Sequence, residues 1–318
     1  MENTSQTQTP PQQQEAGVKL EELKKKLKEY VEDLEDLVHE YGYEDFKDDL
    51  PVELEYVSKD VYNANLVKSE EEVVTLVTDA LDEQVNKALE QGKALREAYN
   101  NNDIANMLSK AIEIYANLTA INAILKYTKE YVSVWEVIEK DLETFTKKAS
   151  DTIEILANYI AKQKLDLDEE DAEDIHNDTL YYYDLAENWP DLEEGLDDIE
   201  DEIESDTELK RGTYWALKNA LKLMREYYDT GLSYGIGGEE IAHETYDDEG
   251  DTYKPENLDV ETLLLNMSET YAYFTALKVL HDNIVSNYAT NKKFEDSLEK
   301  AINRAKDVIN IIVESYNN

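Results

Sequence analysis

The chain has 318 residues, 41% of them hydrophobic, which is enough for one large helical core or two ordinary ones. Asp and Glu outnumber Lys and Arg by 74 to 31, and the formal net charge of −43 argues against direct binding to nucleic-acid phosphate or anionic lipid. Cysteine is absent, which excludes a disulfide framework, a thiolate nucleophile and a Cys-ligated metal.

Residues 1–17 hold no apolar core and read as a disordered polar tail, so no conventional signal peptide is expected. From residue 18 to 41 apolar side chains recur at Leu20, Leu23, Leu27, Tyr30, Val31, Leu34, Leu37, Val38 and Tyr41, a helical stripe ended by Gly42. Leu50-Pro51 opens a connector. Ser69…Glu72 has the form of a capping box and starts a helix that runs to about Tyr99. Asn100-Asn101-Asn102 breaks it, and Asp103 is placed to cap the next helix, over about 104–132. A further helix is predicted over about 134–162. Period-two runs of β-branched residues are missing, and no apolar run approaches the roughly 20 residues needed to span a bilayer. The expectation is a soluble, all-α chain without membrane insertion, cytoplasmic or virion-associated.

Displaced by 156 residues, segment 103–160 lies on 259–316 without a gap. Fourteen of the 58 positions are identical, among them Asp103/Asp259, Tyr115/Tyr271, Thr119/Thr275 and Asp151/Asp307. Biased helical composition alone gives roughly four or five. Upstream the landmarks keep their order with gaps: His39/His176, Pro51/Pro190 and Ser69…Glu72/Ser205…Glu208. These observations predict two tandem copies of an antiparallel helical-bundle unit, over 18–163 and 164–318.

The second copy differs in two ways. Residues 166–208 hold 21 acids and no Lys or Arg, with apolar residues spaced as for a helix with one buried stripe. Residues 231–250 carry half of the chain's Gly and read as a surface loop. Its Gly-x-Gly-Gly lacks the preceding strand and following Lys of a phosphate loop.

Candidates for chemistry are few. Glu173…His176 and Glu240…His243 are Glu-x-x-His pairs, the spacing that places a carboxylate and an imidazole on one helix face in dinuclear-metal bundles. Asp36…His39 has similar spacing, and His243 falls in the predicted loop. Residues 245–256 place Asp247, Glu249, Gly250 and Glu256 at calcium-loop positions, but Thr245 stands where an Asp is needed. Tyr181-Tyr182-Tyr183 reads as core boundary with hydroxyls in water. No nucleophilic constellation emerges, and no cofactor is implied. The pattern points to a non-catalytic structural or protein-interaction scaffold with a protein partner or self-assembly, the charge also attracting cations or reflecting a saline setting. Two other readings compete with it: a ferritin-like dinuclear-metal protein, and an acidic nucleic-acid mimic that binds a basic protein.

Overall fold

The computed structural model describes residues 11–36, 70–129, 136–209, 211–245, 254 and 257–317. Nine α-helices make up nearly all of them, and no strand occurs among the described residues. They are α1 (Pro11–Asp36), α2 (Glu70–Asn101), α3 (Ile104–Lys129), α4 (Glu136–Ala161), α5 (Glu169–Glu187), α6 (Asp191–Ser205), α7 (Arg211–His243), α8 (Val260–Leu280) and α9 (Lys292–Asn317). A π-helical turn, His281–Val285, continues α8. No helix among the described residues is long and apolar enough to cross a membrane.

Local signals explain the boundaries. Asn102 ends α2 in the left-handed region (φ 61°), which Asn tolerates better than most residues. Asp103 Oδ1 then accepts the Asn106 N–H at 3.1 Å, and Asp259 Oδ1 accepts the Thr262 N–H at 3.1 Å, so α3 and α8 start in the same way. Pro190 supplies no N–H and disfavours a helical Trp189, so the acidic stretch is two helices and not one.

Three expectations change. The helix begins at Pro11, so residues 11–17 continue α1 instead of lying in a disordered tail. Proline suits a first helical position, and the Gln-Gln-Gln-Glu-Ala that follows is helix-forming. Ser205 is the last residue of α6, its Oγ donating to Glu202 O, so Ser205…Glu208 is not a capping box. Residues 231–243 are helical, not a loop. His39, Gly42, Pro51, Ser69 and most of 245–256 lie outside the described residues.

Packing follows from which helices carry apolar residues all round. In α3 and α8 they occupy most of the circumference, so both must be largely enclosed. Helices α2 and α4 pack on α3, and α7 and α9 pack on α8. α3 and α8 pack on each other, and the buried residues of both halves form one continuous core. Helix α1 lies against α2 and α4, while α5 and α6 lie against α7 and α9.

Packing explains Gly235 but not Gly237 of α7. A methyl on Gly235 would come within 2.6 Å of Tyr182 Cδ1, on α5. At Gly237 the nearest atom is Asn266 Nδ2 at 3.0 Å, the end of a side chain that can turn away. Helix propensity favours Ala over Gly by about 1 kcal/mol, whereas overpacking a closed core costs about 1–3 kcal/mol. Gly235→Ala should therefore destabilise the protein in urea unfolding, and Gly237→Ala should be neutral or stabilising. Equal effects of the two substitutions would refute the packing role.

Candidate functional site

Because α5 packs closely on the glycine face of α7, His176 on α5 meets His243 at the end of α7. Their rings stack with centroids 6.0 Å apart and planes 29° apart. Burial lowers the His176 pKa below its usual value, and the neighbouring His243 adds to the effect. Glu173 and Glu240, each one turn before its histidine, remain exposed. Glu239 is half-buried, and burial raises its carboxyl above the usual range. Among the described residues no group of three or more His, Asp or Glu side chains is arranged to hold a metal ion. The candidates Glu173, His176, Glu240 and His243 thus yield a facing imidazole pair, not the four Glu and two His of a dinuclear bundle site.

Helices α5 and α6 carry the acidic tract. Asp168 and Asp171 form a reciprocal capping box at the start of α5, where acidic residues also complement the helix dipole. In α6, Leu192, Leu196, Ile199 and Ile203 are buried as a single stripe. Carboxylates on its flanks bind cations from the helices beneath. Arg225 bridges Asp197 and Glu200 at 2.6 and 2.7 Å, Lys293 bridges Asp191 and Glu194 at 2.8 and 2.6 Å, and Lys218 pairs with Glu200 and Glu204. The Lys218 hydrogen bond, helped by Arg225, holds the Glu200 carboxyl below its usual range. Deeper in, Arg304 of α9 pairs with the buried Asp178.

The outer side of the tract is different. Glu169, Glu170, Glu173, Asp174, Glu187, Glu193, Asp201 and Glu202 are exposed. Among them stand two exposed aromatics, Tyr183 at 43% and Trp189 at 57%. The other two tyrosines of the triplet face inward, contrary to the sequence expectation. Tyr181 and Tyr182 donate their hydroxyl hydrogens to the Ser297 and Ala301 carbonyls of α9, at 3.1 and 2.5 Å. Helix propensity and spacing gave no sign of which of the three would remain outside.

A second polar group lies in the core. The Tyr115 hydroxyl of α3 donates to Glu269 Oε2 of α8 at 2.7 Å. Burial raises both pKa values, most directly by desolvating the charged forms. The corresponding residues 156 positions away are Tyr271 and Glu113. These two also sit within electrostatic range of each other, although Glu113 takes its ion pair from Lys110 at 2.9 Å. The 156-residue correspondence relates Tyr115 to Tyr271, and only the packing of α3 on α8 brings each to the glutamate of the other segment.

Because the folded-state pKa of Glu269 is raised, the folded chain holds this proton at pH values where the unfolded chain has lost it. Stability from this group is therefore present below the unfolded pKa and is lost as pH rises through the folded value. Glu269→Gln keeps an oxygen for the Tyr115 hydroxyl and removes the charge. At neutral pH the variant should be at least as stable as wild type, and wild type should gain on it as pH falls toward about 5. Urea midpoints against pH provide the measurement, and two parallel curves would contradict the assignment.

Comparison of the chain with protein-family models, with curated proteins and with solved structures gives no match.

Proposed function

We propose that this protein is a non-catalytic interaction scaffold whose α5–α6 face docks a basic protein partner. The observation that supports this reading best is the placement of Trp189 and Tyr183, both exposed, among exposed carboxylates. The outer acids named above form no ion pair among the described residues, whereas the flanking acids are matched to Lys218, Arg225 and Lys293. These paired charges anchor α6, and the outer ones are available to steer a cationic partner. Large aromatics supply desolvated contact area at interfaces, and charge supplies steering and salt sensitivity. Lys/Arg-rich peptides with and without an apolar residue are suitable probes. Trp189→Ala should weaken the apolar-containing peptide by roughly tenfold without altering the melting temperature. Equal affinity for both peptides in wild type and variant would mean nonspecific charge attraction, and the docking reading would fail.

We infer further that the scaffold arose by tandem duplication. Under the 156-residue displacement the bounds 104–129 of α3 map onto 260–285, which is α8 with its π turn, and those of α4 map onto α9. The reciprocal Tyr115–Glu269 and Tyr271–Glu113 relations have the form of an isologous interface, in which residue i meets j and j meets i. A chain divided between residues 163 and 164 and co-expressed should reassemble into a stable one-to-one complex through α3 and α8. Two soluble halves that stay apart at micromolar concentration would count against this origin.

A further inference from the structure

Helices α2, α3 and α8, with the π turn and Ile302 of α9, line an open-sided cavity of about 420 Å³. Two primary amides line it while almost wholly removed from solvent: Gln84 of α2 is 2% exposed and Asn117 of α3 is 8% exposed. Neither side chain forms a hydrogen bond to the protein among the described residues. Their amide groups are not sealed away from the cavity, so their hydrogen-bonding capacity is open to whatever fills it. Gln91, two turns along α2 from Gln84, adds a third amide to the same wall.

The other half of the molecule shows what closes such a niche. Asn117 lies 156 residues before Tyr273. On α2 the positions 81, 84, 88, 92 and 95 are buried, and on α7 the positions 224, 227, 231, 235 and 238 are buried, a constant displacement of 143. The same register matches Gly92, which abuts Leu34 of α1, with Gly235, which abuts Tyr182 of α5. Gln84 and Gln91 therefore stand where α7 carries Tyr227 and Tyr234. Those two rings pack against Tyr273, with centroids 5.6 and 6.0 Å from it, beside the Tyr115–Glu269 pair. Three amides thus replace three phenol rings, and the cavity lies beside Tyr271 and Glu113.

Charge narrows the occupant. The cations at the rim are already matched: Lys87 with Glu83, and Lys278 with Asp282 at 2.9 Å, while Glu113 takes Lys110 at 2.9 Å. No cation is left over to receive an anion, and the whole chain repels one. The remaining bonding capacity is that of neutral amides, each able to donate twice and accept, which suits adjacent hydroxyl groups. The volume falls within the range of small-molecule sites, about 300–1,000 Å³.

We propose that this cavity binds a neutral polyhydroxylated small molecule of the size of a single-ring sugar or cyclic polyol. The site lies on helices other than α5 and α6, so it stands or falls independently of the docking reading. The test is titration of the full chain with glucose and with myo-inositol, followed by saturation-transfer NMR, with glucose 6-phosphate and glucosamine as charged counterparts. At least one neutral probe should bind saturably and more tightly than its charged counterpart. Asn117→Tyr, which introduces the ring found at Tyr273, and Gln84→Met, which removes an amide at nearly constant volume, should each weaken it by roughly tenfold or more. Should Asn117→Tyr fail to fold, Gln84→Met decides the matter alone. Absence of saturable binding by both neutral probes, preference for a charged one, or unchanged affinity in the folded variants would overturn the proposal.

Discussion

Two helices whose apolar residues run most of the way round, α3 and α8, have to be largely enclosed, and the rest of the fold is arranged around that requirement. Neither can lie on the surface without exposing a row of Leu, Ile and aromatic side chains, so each is covered by its sequence neighbours and by the other. The contact between them is close-packed, and a polar group there has to be matched. Tyr115 and Glu269 meet this condition by bonding to each other across the interface, which fixes the register of the two helices as well as satisfying the atoms. Gln84 of α2 and Asn117 of α3 line the cavity beside this contact.

Charge follows the same logic at the surface. With a net charge of −43 the molecule has few cations to place, and α7 and α9 set Lys218, Arg225, Lys293 and Arg304 against the most acidic pair of helices. The partly exposed pairs each contribute little on their own. Their collective effect is to relieve repulsion on the inner flanks, where α5 and α6 would otherwise be pushed off their neighbours. The outer carboxylates form no ion pair among the described residues and are left facing solvent.

Much of the architecture was legible from local signals with a direct physical cause. Asp103 and Asp259 announced helix starts because a short carboxylate can accept a free N–H, and the Asn run before Asp103 announced a stop. The acidic tract was legible as helical because apolar residues continued through it at helical spacing. The glycine-rich segment reads as a loop in the sequence but is helical, because glycine has two uses that look alike in a sequence: it permits unusual backbone angles, and it removes a side chain. In α7 the second applies, and only the neighbouring Tyr182 ring reveals it. His243 ends that helix, and its meeting with His176 depends on the helix continuing through the glycines.

The sequence by itself determined the all-α class, the main helix starts, the strong negative charge and the internal correspondence between 103–160 and 259–316. These are properties of short segments or of composition, and periodicity and capping express them directly. Only the tertiary structure decided which tyrosine of 181–183 faces solvent, which carboxylates find cations, and that Tyr115 pairs with Glu269. It alone also showed that Gln84, Gln91 and Asn117 share one wall. Such pairings join residues tens to more than a hundred positions apart, and they depend on how whole helices approach one another in three dimensions, which no local pattern encodes.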